Sequence, residues 1–337
     1  MGTQIIKIVR RFSKFIALIV FVVMVFLFTL PITVFAALIG NEEISSEAAI
    51  IIDFDSGLVI YEYNADKLRV PASMTKIIFA YTVFDALQDN VVSFDTIVTA
   101  TEEISNFSYM RDFSNIPMPQ GSSYTVAELL DAIIVRSACA ATVALAEAVF
   151  GSEAAAVAKM NEKMGQLGVE AVFYDSWGRS PNNMISARGM ATVARAIIKE
   201  YPEVLSISSK PGIMFNGISY NSTNFLIRDY EGADGLKTGF TNPAGWCFTG
   251  TAVQNGRRII SVTMGSSEGL RFVDSRILLD YGFSNVGPVI ANHFRDSIIP
   301  ENARAAADSA LVPIVLYNIE DAQYFELHDL AIILNES

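Results

Sequence analysis

The chain has 337 residues, 51% hydrophobic and 18% charged, enough for one large domain with a sizeable core and a smaller unit beside it. With 36 acidic residues against 24 basic the formal charge is −12, which argues against a nucleic-acid partner, since that needs clustered Lys and Arg. Two cysteines are too few for a disulfide framework, and the only two histidines, His293 and His328, lack metal-ligand spacing, which argues against histidine-dependent serine hydrolases and zinc peptidases.

Along the chain, residues 1–14 carry Lys7, Arg10, Arg11 and Lys14 and no acid, and residues 15–30 are an almost unbroken apolar run. Val34-Phe35-Ala36 then offers small residues where a signal peptidase cuts, so residues 1–36 read as a secretory signal or an uncleaved membrane anchor. Either reading places the remainder outside the cytoplasm, attached to a membrane only through this segment if it is kept. Without these residues the balance is 20 basic to 36 acidic.

Apolar runs at 48–54 and 57–63 around Asp55-Ser56-Gly57 predict a hairpin. Residues 74–86 predict a largely buried helix beginning just after Pro71. Further helices are expected at 125–138, opened by a Thr125–Glu128 capping box, and at 140–150, 154–167 and 187–198. From Asp234 the pattern changes to strands at 235–240, 245–253 and 258–264, joined at Thr241-Asn242-Pro243 and Gln254-Asn255-Gly256, before a closing helix at 272–281. Strands at both ends with helices between them predict an α+β domain over residues 37–285 whose terminal strands share one antiparallel sheet. Residues 286–337 form a short β-rich segment with strand candidates at 311–317 and 330–334, the outline of a reduced second domain.

The chemistry concentrates in Pro71-Ala72-Ser73-Met74-Thr75-Lys76. Positions i and i+3 share a helix face, so Lys76 stands where it can take the proton that makes the Ser73 hydroxyl a nucleophile. An isolated Ser-x-x-Lys is most simply a helix cap with a solvated lysine. Here the lysine lies on an apolar helix, where an ordinary surface lysine fits poorly and a base within reach of the hydroxyl is the role that suits it. Two further elements follow: Ser137 before Val143-Ala144-Leu145-Ala146-Glu147, and Asp234-Gly235-Leu236-Lys237-Thr238-Gly239 before Ala244-Gly245-Trp246.

On these motifs, residues 45–284 resemble the low-molecular-mass penicillin-binding proteins, serine D-Ala-D-Ala carboxypeptidases marked by Ser-x-x-Lys, Ser-x-Asn and Lys-Thr-Gly. The resemblance implies a β-lactamase-like α+β fold with an antiparallel sheet of about five strands flanked by helices. It implies an acyl-enzyme on Ser73, with Lys76 as base and Ser137 relaying a proton to the leaving group. Lys237, Thr238, Gly239 and Arg271 would bind substrate, Arg271 and Thr238 through its terminal carboxylate. The Phe240 and Ser73 N–H groups would form the oxyanion hole. For Arg271 a surface ion pair with Asp274 is the alternative. The implied substrate is the peptidoglycan pentapeptide, with β-lactams as covalent inhibitors and no metal or organic cofactor.

The pattern is broken at Ser137-Ala138-Cys139, where a thiol stands in place of the family's Asn. An amide is a strong donor and acceptor and a thiol a weak one. A catalytically impaired penicillin-binding or wall-binding paralogue is therefore the alternative reading, and a β-lactamase a more distant one. Cys139 itself reads either as an inert filler or as a reactive thiol beside a lysine, and it could pair with Cys247.

Overall fold

The computed structural model describes residues 44–285 together with two short strands near the C-terminus. The 1–36 segment and the strand expected at 330–334 lie outside the described residues. The first half contains β1 (Ala48–Asp53), β2 (Val59–Tyr63), a 3-10 turn (Ala72–Met74), α1 (Thr75–Gln88), β3 (Ile97–Thr99), α2 (Glu102–Ser108), β4 (Ser123–Thr125), α3 (Val126–Val135), α4 (Cys139–Phe150) and α5 (Glu153–Gln166). There follow β5 (Ala171–Val172), β6 (Met184–Ile185), α6 (Ala187–Glu200), α7 (Glu203–Ser208), β7 (Gly212–Phe215), β8 (Ile218–Asn221), α8 (Leu226–Asp229), β9 (Ala233–Thr241), β10 (Gly245–Gln254), β11 (Arg257–Ser266) and α9 (Arg271–Asn285). Beyond them, β12 (Leu316–Ile319) pairs antiparallel with β13 (Ala322–Phe325).

The main sheet is antiparallel in the order β2-β1-β11-β10-β9, so strands from both ends of the domain share it, as their spacing predicts. Why β1 reads as a continuous apolar run follows from its neighbours. Ala48, Ile50 and Ile52 join the main helical core, whereas Ala49 and Ile51 turn to the other face and pack with Phe248, Ile259, Leu278 and Leu279. A strand covered on both faces cannot show polar alternation. Helix α1 is likewise buried on nearly all sides, which is why residues 77–84 lack a polar stripe. Strand β9 is the sheet edge, and its outer side borders the cleft.

Three departures from the sequence pattern bear on the site. The helix expected over 125–138 keeps its capping box but ends at Val135, and Ser137 turns the chain with φ 66°. A fresh helix opens at Cys139 because tertiary partners cap it: the Ser114 carbonyl accepts the Cys139 N–H (2.9 Å) and the Asn115 side chain accepts that of Ala140 (2.8 Å). The pairs β3–β4, β5–β6 and β7–β8 are two to four residues long, too short for a period to register. In the C-terminal segment β13 precedes the expected 330–334 strand, inside a stretch whose acidic residues read as a separator.

Candidate active site

Ser73 sits in the 3-10 turn ahead of α1, half-buried, and the turn is squeezed between two glycines. On one side is Gly178, where a Cβ would lie 2.0 Å from the Ala72 carbonyl oxygen and 2.9 Å from the Ser73 nitrogen. On the other is Gly239 of β9, where a Cβ would lie 2.7 Å from the Pro71 oxygen. Ala72 between them has φ 48°, a left-handed conformation that a non-glycine residue adopts at a cost. Sequence spacing puts Ser73 and Lys76 on one face, and the close approach of two backbones holds that face at the cleft.

Lys76 is fully buried, and its Nζ donates to the Ser73 hydroxyl at 3.1 Å, to the Trp177 carbonyl at 2.6 Å and to the Cys139 sulfur at 3.5 Å. The Trp177 carbonyl is aimed by Asp175, whose carboxylate accepts the backbone N–H groups of Trp177 (3.2 Å), Gly178 (2.5 Å), Arg179 (3.3 Å) and Ser180 and the Asn183 amide (3.1 Å). One carboxylate thus folds the 175–180 loop against the serine turn. The Trp177 ring meets Phe107 and Phe113, each at 5.2 Å.

Ser137 and Cys139 are both buried on the facing wall. The Cys139 thiol contacts Lys76 and donates weakly to the Ser137 carbonyl at 3.7 Å, whereas the Ser137 hydroxyl is not among the partners of either lysine. The two thiols are free and do not form the bridge considered from sequence. Burial pushes the Cys247 thiol, which lies on β10 itself, up to about 11, in keeping with an inert filler.

The third wall is β9. Lys237 is buried, and its only hydrogen bond among the described residues goes to the Thr238 carbonyl at 3.1 Å. Desolvation holds its pKa well below the usual lysine value, and the positive charges of Lys76 and Arg271 push the same way. The Thr238 hydroxyl donates to that of Thr223 (2.9 Å), a neighbour from the loop before α8. Arg271 is also buried; it donates to the Gly239 carbonyl at 3.1 Å and lies 4.6 Å from the Trp246 ring centre and 4.9 Å from that of Phe272. Desolvation brings its pKa down to about 10. The ion pair with Asp274 weighed from sequence is not formed: Asp274 is taken up by the hydroxyls of Ser45 (2.9 Å) and Ser46 (2.5 Å). Phe240 is exposed, its ring 4.4 Å from that of Trp246.

Ser73, Lys76, Lys237, Thr238, Gly239 and Arg271 therefore converge on one cleft. Sequence reasoning missed Trp177, Asp175 and Thr223. Trp177 acts through a backbone oxygen, which has no side-chain signature; the Asp-x-x-Gly spacing from Asp175 to Gly178 was the one available hint of a tight loop.

Comparison with known proteins agrees with this fold. Residues 35–268 match the family described as D-alanyl-D-alanine carboxypeptidase. The chain is 33% identical over 266 residues to D-alanyl-D-alanine carboxypeptidase DacC of Escherichia coli, covering 77% of this chain and 66% of that relative. The match thus spans just under two thirds of that relative's length. Among solved structures, penicillin binding protein 5 from Haemophilus influenzae is similar with a TM-score of 0.70 at 33% identity, covering 72% of both chains. Penicillin-Binding Protein D2 from Listeria monocytogenes, solved in a cefotaxime-bound form, has a TM-score of 0.65 at 30% identity, covering 72% of this chain and 99% of that one.

Proposed function

The chain belongs to the D-alanyl-D-alanine carboxypeptidase family, and on that premise we propose that it removes the terminal D-alanine from peptidoglycan stem peptides outside the cytoplasm. The observation that carries this reading is the arrangement around Lys76. A neutral amine has two N–H bonds and one lone pair. Once Lys76 has given up a proton, its two N–H bonds can stay on the Trp177 carbonyl and the Cys139 sulfur, and the lone pair then faces the Ser73 hydroxyl 3.1 Å away.

In the proposed reaction Ser73 Oγ bonds to the carbonyl carbon of the penultimate D-alanine as its proton passes to Lys76 Nζ. The N–H groups of Ser73 and Phe240 stabilise the oxyanion. The C–N bond then breaks, D-alanine leaves with a proton relayed through Ser137, and water hydrolyses the ester to free the serine. Lys237, Thr238 and Arg271 bind the terminal carboxylate. An incoming anion favours the charged form of both buried cations, which desolvation otherwise disfavours. β-Lactams are expected to acylate the same serine, and the cefotaxime-bound Listeria relative supports this. Because Cys139 still reaches Lys76, the structural ground for an impaired paralogue is weakened.

The test is mass spectrometry of the protein after benzylpenicillin, together with D-alanine release from a peptide ending in D-Ala-D-Ala. An adduct on the peptide containing Ser73, absent in Ser73→Ala, is the expected result. Neither adduct nor D-alanine would overturn the reading, and rapid turnover of penicillin would favour a β-lactamase.

A further inference from the structure

The 175–180 loop that orients Lys76 also presents an unmatched cation. Arg179 is exposed and forms no ion pair among the described residues, a state it shares with Lys67, Arg111 and Arg228, and what sets it apart is its place two residues from the carbonyl that holds Lys76. The nearest acid in sequence, Asp175, is committed to backbone N–H groups. The Arg179 guanidinium lies instead 4.5 Å from the centre of the Phe113 ring. Phe113, Phe107 and Trp177 meet edge-on with centroids 5.2 to 5.7 Å apart, all half-buried, so they form an apolar pad with a positive charge on top. The pad is at the nucleophile: Trp177 bonds Lys76 through its carbonyl, and Gly178, between Trp177 and Arg179, is the residue pressed onto the Ser73 turn.

We propose that Arg179 on the Phe107–Phe113–Trp177 pad is a specificity-determining residue that binds a carboxylate in the acyl part of the substrate, selecting peptides whose residue before D-Ala-D-Ala carries a free side-chain carboxylate. The proposal rests on the carboxypeptidase reading above. In that reading the terminal carboxylate is engaged on β9 by Thr238 and Arg271, which leaves the 175–180 side of the serine turn for the acyl part. The methylenes of a long side chain lie against rings, and a guanidinium takes a carboxylate through paired hydrogen bonds. A diaminopimelate residue, which is lysine with a carboxylate added at its far carbon, meets both requirements. A lysine residue at the same place brings only a cation toward Arg179.

The experiment compares N-acetyl-meso-diaminopimelyl-D-Ala-D-Ala with N-acetyl-L-lysyl-D-Ala-D-Ala, which differ only in that carboxylate. Binding is measured by calorimetry to the full chain carrying Ser73→Ala, so that it does not depend on turnover, and D-alanine release is followed separately with the unmodified chain. The expected result is about tenfold tighter binding of the diaminopimelyl peptide, with the preference lost in Arg179→Gln, partly kept in Arg179→Lys and weakened by high salt. Equal affinities for the two peptides, or a preference that survives Arg179→Gln, overturn the proposal. If the preference appears but no D-alanine is released, the carboxypeptidase reading fails and the subsite stands.

Discussion

Two buried charges on the same sheet are handled in opposite ways. At the end of β1, Asp53 is 2% exposed and accepts from the Ser56 N–H (3.0 Å), the Ser56 hydroxyl (2.8 Å) and Arg257 of β11 (2.8 Å). At the far edge, Lys237 of β9 is also 2% exposed and has no acid beside it among the described residues. The first charge is matched, and its neighbours gain from it. The second is left unmatched in a cleft that also holds Lys76 and Arg271, within a chain whose net charge is −12. Under the proposed function the difference separates a charge that serves folding from one kept for a ligand, and it makes the sign of a mutation informative.

The largest expected effect is on the matched side. Asp53→Ala leaves Arg257 buried without its partner and should cost about 3–5 kcal/mol in urea unfolding. Burial alone raises the Asp53 carboxyl, but the Ser56 bonds and the Arg257 guanidinium outweigh it and hold the group below 3.8. Since the folded value is the depressed one, the contribution is complete above the unfolded value near 3.8 and disappears as pH falls through the folded value. The unmodified chain should therefore lose stability on that acid side more steeply than Asp53→Asn. A loss under about 1 kcal/mol for Asp53→Ala would break the contrast.

On the unmatched side the same operation should stabilise. Lys237→Met keeps the length of the side chain and removes a charge that has no acid, so unfolding at pH 7 should cost about 1–3 kcal/mol more than in the unmodified chain. The pH dependence follows from the lowered pKa. The folded state disfavours protonated Lys237, so its penalty is absent above the unfolded value of 10.5 and grows as pH falls toward the folded value. The gain from Lys237→Met should thus shrink as pH rises toward 10.5, while labelling by fluorescent penicillin is lost. Destabilisation at pH 7 would mean that Lys237 contributes to folding after all.

How much of this was legible in sequence divides along the same line. The sheet, the long helices and the Ser73–Lys76 and Lys237–Gly239 motifs could be read because periodicity and short spacing are local properties. The loop that holds Lys76 could not. Trp177 contributes a carbonyl, Asp175 acts by collecting backbone N–H groups 2 to 5 residues ahead, and Ser114 and Asn115 cap α4 from more than 20 residues away. None of these roles requires a recognisable residue pattern. The break between the two helices was expected at 139 but begins at 136, because residues 125–138 are apolar enough to continue a helix and the partners that end it come from elsewhere in the chain.

The smallest expected effect concerns the position where the chain departs from its family. Cys139 is the weakest of the three partners of Lys76, at 3.5 Å against 3.1 Å for Ser73 and 2.6 Å for Trp177, and sulfur is a poor acceptor. If its role is only to take one N–H of the amine, Cys139→Ala should slow acylation by benzylpenicillin by no more than about tenfold, the worth of one hydrogen bond near 1 kcal/mol. Cys139→Asn, whose amide oxygen can accept the same N–H more strongly, should match or exceed the unmodified rate. The two substitutions together separate orientation from chemistry. A fall in Cys139→Ala as deep as that of Ser73→Ala, without recovery in Cys139→Asn, would mean that the thiol takes part in the reaction itself. Lys76 would then no longer be the only base, and the unmatched cleft would have to be understood as a lysine–cysteine pair.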